Sequence, residues 1–441
     1  MRFLLDIGYL LAMAALAPLA AWKALWSERW RAGWGQRLGF GLPRRQDDAP
    51  CVWIHAVSVG EASLIRTMVD TLLREHPAWR VAVSTFTNTG QNVARERFGG
   101  RAMVFYYPLD LSFVVRRALR RIRPTVICLI ELEIWPNFVA EARRAGVPVV
   151  IANGRMREER VAKYRRFWKM WAALADPSTG NAYCVQNETY ADRFRRAGFP
   201  PEKISVTGSM KYDALATEAP AGKLAALRQA FGLAPGDTAW IGACTWPGEE
   251  AACLRVHRRL RQRWPELRLI LAPRHIERAA EVAREIEAAG FACRRRTAAG
   301  PAEPGAVGLL DTVGELSAAY GLARAAFVGK SLLAQGGHNV LEPAAMGVAT
   351  LFGPRTDNFE DETRMLLAAG GAALVDDEEG LYNKLSSLLA DVEACGRMAQ
   401  AGKRAVMEHR GATRRTLDVV ERAVARRMGG SDDPTRETQE G

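Results

Sequence analysis

From residue 51 onward, short apolar runs alternate with longer amphipathic stretches, and this rhythm is played twice. Strand-then-helix alternation of that kind builds parallel sheets covered by helices and leaves few other folds open. In the first half Val52–Ala56, Arg80–Ser84, Thr125–Ile130, Pro148–Ile151 and Ala182–Val185 read as strands, with helices such as Ser63–Glu75 and Phe138–Ala145 between them. The pattern weakens over an Ala/Pro/Gly-rich stretch, then restarts with Ala239–Ala243, Arg268–Ala272, Ala325–Val328, Thr350–Phe352 and Ala372–Val375. At 441 residues the chain exceeds one ordinary core. The expectation is an α/β protein of two doubly wound, Rossmann-like domains, 34–216 and 237–428, joined by a linker at 217–236. Such sheets bind ligands beyond the carboxyl ends of their strands, which places the function in a cleft between the domains. The polar end, 429–441, is expected to be disordered.

Residues 1–33 read as a membrane anchor with an interfacial flank. Phe3 to Trp26 are apolar apart from Asp6 and Lys23. The uncharged run Ile7–Trp22 is short for a span, which needs about 20 residues. Tilt and snorkelling of Lys23 would close the gap, so a single-pass or a monotopic anchor is expected. Ala15-Leu16-Ala17 has the small-residue pattern of a signal cleavage site, but Arg2 is offset by Asp6 and the basic flank follows the segment. That polarity favours an uncleaved anchor with the rest of the chain in the cytoplasm. Seven scattered cysteines without a C-x-x-C pair fit a reducing compartment.

Lys+Arg 61 against Asp+Glu 49 leaves a formal charge of +12, which favours a polyanionic partner. The surplus is concentrated at 155–171, where Arg155, Arg157, Arg165 and Arg166 crowd around Tyr164, Phe167, Trp168 and Trp171. A basic aromatic helix suits an anionic membrane surface; equally, its aromatics pack into a core and its cations are solvated. No RNA- or DNA-binding motif is present, and nucleic acid is not expected as a partner.

Three acidic or basic motifs follow strand ends in the first half. Ser58-Val59-Gly60-Glu61 puts a carboxylate at the start of a helix, where it should stay ionised and able to take a proton. Glu131-Leu132-Glu133-Ile134-Trp135-Pro136-Asn137 follows a buried run, and two carboxylates there are costly unless used or paired. Gly208-Ser209-Met210-Lys211-Tyr212-Asp213 offers a lysine that can neutralise developing negative charge. In the second half Arg274, after Ala272-Pro273, suits bidentate phosphate binding. Gly336-Gly337-His338-Asn339-Val340-Leu341-Glu342 is a glycine-led helix entry suited to an anion, with Glu342 placed to accept ribose hydroxyls. It is neither a Walker loop nor a G-x-G-x-x-G fingerprint. No acidic pair here demands a divalent metal, so neither metal nor other cofactor is expected.

Taken together in this order, His55–Glu61, Glu131–Asn137, Lys211–Asp213, Pro273–His275 and Gly336–Pro343 resemble the 3-deoxy-D-manno-octulosonic acid (Kdo) transferases of lipopolysaccharide synthesis. The resemblance runs from about Trp34 to Arg422. It implies a GT-B fold and an inverting transfer of Kdo from CMP-Kdo to the lipid A precursor, lipid IV-A, at the cytoplasmic face of the bacterial inner membrane. It also implies Glu61 as general base and Glu131 and Lys211 as stabilisers of the transition state. Pro273, Arg274, Val313, Gly314, Glu315, Asn339, Val340, Leu341 and Glu342 would bind CMP, with Gly336, Gly337, His338 and Lys330 at the donor loop. The basic segment at 155–171 would face lipid A phosphates. The chain departs from the family pattern in two places. Cys244-Thr245-Trp246 stands where Ser-Thr-His is usual before Gly-Glu-Glu, so the histidine is absent, and Lys330 stands where a second glycine is usual. Two other readings keep part of this pattern: a GT-B transferase or epimerase using another sugar nucleotide, and a non-catalytic membrane-attached binder of anionic lipid.

Overall fold

The computed structural model describes residues 2–27, 31–167, 174, 180–234 and 236–429. The chain divides into two compact units. Unit 1 comprises Met1–Ala214 together with Arg410–Gly441, and unit 2 comprises Leu215–His409. The boundary therefore falls ahead of the expected linker, and that stretch is not a linker. Ala221–Ala230 forms a helix whose Leu227 is buried with Phe231 and Ile241 in the core of unit 2.

Unit 1 is built on seven parallel strands: β1 (Cys51–His55), β2 (Arg80–Thr85), β3 (Met103–Tyr106), β4 (Val126–Ile130), β5 (Val149–Gly154), β6 (Ala182–Val185) and β7 (Ile204–Val206). Their order is β3-β2-β1-β4-β5-β6-β7. β1, β4 and β5 are buried along their whole length, as expected of central strands covered on both faces. One face packs Trp53 edge-on against Phe138, with Phe105 beside it. The other face receives the last helix, Ala412–Arg427, whose Leu417, Val420 and Val424 join Ile54, Val126 and Ile130. That helix was expected in the second domain. It is locked into unit 1 by Asp213, whose carboxylate accepts the N–H groups of Gly411 and Thr413, both at 2.6 Å, and so supplies a cap the helix's own Gly411 lacks.

Unit 2 repeats the construction with β8 (Ala239–Thr245), β9 (Arg268–Pro273), β10 (Cys293–Arg295), β11 (Val307–Leu309), β12 (Ala325–Val328), β13 (Ala349–Phe352) and β14 (Ala372–Leu374). The order is β10-β11-β9-β8-β12-β13-β14, all parallel. In each sheet the connection reverses beside the central strand, between β1 and β4 and between β8 and β12. Topological switch points of this kind open a crevice at the strands' carboxyl ends.

The amino-terminal helix α1 (Arg2–Trp26) belongs to unit 1. Among the described residues no helix is long and apolar enough to cross a membrane. Ile7–Trp22 covers only about 24 Å at 1.5 Å per residue, against a hydrocarbon core of ~30 Å. Asp6 explains the interruption: its carboxylate is buried, accepting the N–H (2.9 Å) and hydroxyl (2.5 Å) of Ser112 and the side-chain amide of Asn137 (3.0 Å). α1 is thus tied to the protein by a charge that a spanning helix would have to bury in lipid.

Candidate functional site

At the unit 1 switch point β1 turns through Ser58 into a short helix, Val59–Leu64. Ser58 caps it, and Glu61 reaches back so that its carboxylate accepts the Val57 N–H at 2.8 Å and the Ser58 hydroxyl at 3.2 Å. This reciprocal capping holds Glu61 in one rotamer. Burial raises its carboxyl to about 7, with the charges of Glu131 and Glu133 adding to the rise while the Val57 N–H opposes it. Glu133 is raised too, first by burial, with Arg160 pulling the other way. Arg160 was not singled out from the sequence, where it was one cation among many.

Glu131, the first residue after β4, adopts a left-handed backbone at φ 59°. Its N–H bonds to Ala152 of β5, and the next residue, Asn153, is left-handed as well, at φ 56°. Two adjacent non-glycine residues held in this region mark stored strain of roughly 1–3 kcal/mol each, which surrounding structure must enforce. Asn153 is fully buried; its side-chain carbonyl accepts the Met210 N–H at 3.0 Å and so seats the loop that carries Lys211. Glu61, Glu131, Glu133 and the Lys211 loop are thereby gathered on neighbouring strand ends. His55, part of the first motif, is structural. It is fully buried, bonded through Nδ1 to Ser84 and stacked 3.8 Å from Tyr107, and burial drops its pKa to about 3.

A second carboxyl went unread in the sequence. Asp110 accepts the N–H groups of Asn137 (3.1 Å) and Phe138 (2.7 Å) and the hydroxyl of Tyr9 from α1. Burial raises it to about 7 against those three bonds. Asn137, at the end of the Glu131 motif, therefore works with Asp6 and Asp110 to dock α1. The signal was present in Leu109-Asp110-Leu111-Ser112, an acid just ahead of an amphipathic run.

The basic segment divides. Its helix, Glu158–Arg166, buries Val161 and Tyr164, and Tyr164 packs 6.4 Å from Phe199. Arg157, Arg165 and Arg166 are exposed and Arg155 is half-buried. Trp168 and Trp171 lie outside the described residues.

In unit 2 the end of β12 passes into Gly329-Lys330, where Lys330 is left-handed at φ 57°. The N–H groups of Lys330 (2.6 Å), Ser331 (3.1 Å), Leu332 (3.0 Å) and Leu333 (3.4 Å), together with Trp246 (3.0 Å), all donate to the fully buried Glu249 carboxylate. Gly329 must be glycine: a Cβ there would lie 2.5 Å from that carboxylate. Trp246 lies between Lys330, whose Nζ is 5.1 Å from the indole, and the His275 ring at 5.2 Å. The two departures from the family pattern thus touch one another. Beside them His338 is held down to about 4, first by burial and then by Arg274, Lys330 and His275. Asn339 donates to Glu342 at 3.1 Å and accepts the Leu341 N–H at 3.2 Å. Burial raises Glu342, with Asn339 and the Arg274 charge opposing. Gly336 and Gly337 are left-handed, at φ 106° and 65°, and their turn is what the motif's glycines serve. The helix they lead into, Leu341–Ala345, is a little over one turn, so its dipole is smaller than the sequence suggested. Val313 is exposed and Gly314 left-handed on the loop after β11, whereas Glu315 is engaged by Arg296 at 3.1 Å and by Thr312.

Arg274, Lys330, His338, Asn339 and Glu342 therefore form one cation-rich patch able to take a phosphate and a sugar hydroxyl. Two parallel α/β units, each with polar groups at its switch point, are the build of GT-B glycosyltransferases and related epimerases. In keeping with that fold, the UDP-GlcNAc 2-epimerase from Neisseria meningitidis superposes with a TM-score of 0.57 over 84% of this chain and 100% of its own, at 13% identity. Residues 32–214 match the family described as 3-deoxy-D-manno-octulosonic-acid transferase (kdotransferase). The 3-deoxy-D-manno-octulosonic acid transferase of Haemophilus influenzae is 33% identical over 408 residues, covering 91% of this chain and 94% of the relative. That of Bordetella pertussis is 34% identical over 435 residues, covering 94% and 98%. The chain belongs to the 3-deoxy-D-manno-octulosonic acid transferase family, and it is a glycosyltransferase.

Proposed function

We propose that this protein transfers Kdo from CMP-Kdo to the lipid A precursor, lipid IV-A, with inversion, using Glu61 as general base. The observation that carries the proposal is the Glu61 carboxyl, fixed by Val57 and Ser58 and raised to about 7 among neighbouring acids. A base of that pKa is half-ionised near neutrality and gains most from the proton it accepts. The acceptor hydroxyl gives its proton to Glu61 as its oxygen bonds to the anomeric carbon of Kdo. The bond from that carbon to the phosphate oxygen breaks, and CMP leaves with the electron pair. Lys211, seated through Asn153, and Glu131 stabilise charge as it shifts. On unit 2, Arg274 takes the CMP phosphate, Glu342 accepts from ribose, and Pro273, Val313–Glu315 and Asn339–Leu341 shape the pocket. Lys330 and His338 line the donor loop.

The membrane assignment is monotopic, at the cytoplasmic face of the inner membrane. α1 turns Leu11, Leu19, Trp22 and Leu25 outward, each at least half exposed, while its Asp6 side is docked. A helix with one apolar face outward and a polar clamp inward lies in a bilayer interface. Arg165 and Arg166 on the Glu158–Arg166 helix, with Arg155 and Arg157 just ahead of it, would meet anionic headgroups.

The test is a transfer assay with CMP-Kdo and tetraacylated lipid A precursor, comparing the full chain with Glu61→Gln. Product from the wild type and a fall of about 10²–10⁴-fold in the variant are expected. Equal rates would remove Glu61 as base; turnover of a different sugar nucleotide, without CMP-Kdo, would overturn the donor.

A further inference from the structure

Between α1 and the body of unit 1 lies a slot of about 210 Å³. Tyr9, Met13 and Leu16 line it from the helix, and Phe86, Leu109 and Trp135 from the body. The helix residues sit at i, i+4 and i+7, one face of the helix. The same face is clamped at this end, through Asp6 on Ser112 one turn earlier and through Tyr9 itself on Asp110. The helix is therefore held at a fixed position, yet its next two turns do not close on Phe86 and Trp135, whose rings stack 6.4 Å apart. An apolar gap beside a fixed helix is a place made for an apolar guest, because side chains lining a void lose contact energy that a guest restores.

Three features say which guest. The slot is continuous with the outward apolar face of α1, since Leu16 lines it while 60% exposed, and Leu19 and Trp22 follow. Its inner wall is coupled to the site. The N–H groups of Phe86 and Thr87 both bond to the Val57 carbonyl, and the Val57 N–H holds Glu61. Trp135 stands two residues beyond Glu133, whose charge Glu61 feels. Against the slot's Phe86, the Arg37 guanidinium lies 4.8 Å over the ring and 4.7 Å over Tyr106, donating to the Phe86 carbonyl. The guest is thus an apolar chain attached to an anionic headgroup that also offers a hydroxyl near Glu61.

We infer that the slot receives one acyl chain of the glycolipid acceptor, which makes α1 a wall of the acceptor site as well as a membrane contact. The inference rests on the acceptor proposed above. Seating the chain here fixes the headgroup against Arg37 and brings its hydroxyl toward the base. Chain length and position then become determinants of acceptor choice.

Two measurements on the full-length protein decide it. The first compares Leu16→Trp, which fills the slot from a half-exposed position, with wild type on an acylated acceptor and on the same phosphorylated disaccharide without acyl chains. The variant is expected to raise KM for the acylated acceptor by about tenfold or more, leaving the deacylated acceptor and CMP-Kdo unaffected. An equal effect on both acceptors, or on neither, overturns the assignment. The second needs no turnover: a medium-chain fatty acid bearing a diazirine is photolysed with the protein and the labelled peptides are mapped. Label on the peptides of Met13 and Trp135, lost in Leu16→Trp and displaced by the acylated acceptor, supports the slot. Label displaced by phospholipid but not by that acceptor assigns the slot to the bilayer and overturns the inference. Should slot labelling follow the expected pattern while no Kdo is transferred, the acyl site stands and the proposed reaction falls.

Discussion

Each sheet follows its central strand with a Gly-Glu pair at the start of a helix, Gly60-Glu61 after β1 and Gly248-Glu249 after β8. The two glutamates share a topological position and have opposite fates. Glu249 is fully buried and accepts five backbone N–H groups, four from the loop at 330–333 and one from Trp246, so its carboxylate is taken up in tying that loop to Trp246. Glu61 has one backbone N–H and one hydroxyl, and it feels the charges of Glu131 and Glu133. Satisfied donors make a carboxylate a structural strut; burial with few donors and adjacent negative charge raises its affinity for a proton, as the proposed base requires. Position in the fold supplies the carboxylate, and the number of N–H groups aimed at it decides its use.

The sharpest way to break this contrast is to remove the same charge on both sides. Glu61→Gln should leave the fold intact and cost about 10²–10⁴-fold in kcat, measured on CMP-Kdo and the acylated acceptor. For the wild type kcat/KM should fall as pH drops below about 7, because the base must be ionised. Stability carries the opposite sign. A carboxyl raised from 4.5 to about 7 binds its proton more tightly folded than unfolded, so its contribution is fully present below about 4.5 and lost as pH rises through about 7. Glu61→Gln should therefore gain in melting temperature relative to wild type between pH 5 and pH 8. A flat difference would show that Glu61 is not a strained acid.

Glu249→Ala should do the reverse. Removing the acceptor strands several buried N–H groups, at about 1–3 kcal/mol for each left without water. A net loss of at least about 3 kcal/mol would lower the melting temperature by roughly 6–12 °C for a unit of this size. Calorimetry on the full chain checks it, and a variant that melts normally would dissolve the distinction between strut and base.

Next in size is Arg274→Ala, which tests whether the cation-rich patch of unit 2 is the donor side. The CMP dissociation constant should rise about 10–100-fold, the worth of a charged hydrogen bond to phosphate, with little change in melting temperature. Unaltered CMP affinity would move the donor phosphate elsewhere.

The parts legible in the sequence were those set by local pattern. The central strands β1, β4, β8 and β12 are continuous apolar runs, and their motifs fell at the switch points because a doubly wound sheet puts loops there. The strands that went unread, β3, β7, β10 and β11, lie at or next to a sheet edge, and β7 and β10 carry partly exposed residues in place of an unbroken apolar run. Long-range decisions were not legible. Nothing local says that Ala412–Arg427 returns to the first sheet, since that depends on Asp213 offering a cap some two hundred residues earlier. Asp6 looked like a flaw in an anchor because its partners, Ser112 and Asn137, are distant in the chain. The linker was misread because Ala, Pro and Gly at 217–236 weaken the pattern without preventing the helix Ala221–Ala230 from burying Leu227.

The smallest expected effect sits where the strut meets the donor patch. Lys330 is held left-handed so that its N–H can reach Glu249, while its ammonium lies over Trp246 and close to His338. Backbone and side chain therefore answer to different demands. Lys330→Gly keeps the N–H and removes the Cβ clash of the left-handed region, for a net gain of up to about 1 kcal/mol once glycine's extra unfolded freedom is counted. The same change deletes an ammonium beside the proposed donor site, so CMP should bind about two- to fivefold more weakly. It also removes a cation–π contact with Trp246 worth about 0.5–1 kcal/mol of stability, which offsets the backbone gain. Stability nearly unchanged and affinity down, read by melting and by CMP titration on one variant, is a result no single structural role for Lys330 can give. If both move down together, the side chain is part of the strut and the line between the two glutamates' neighbourhoods must be redrawn.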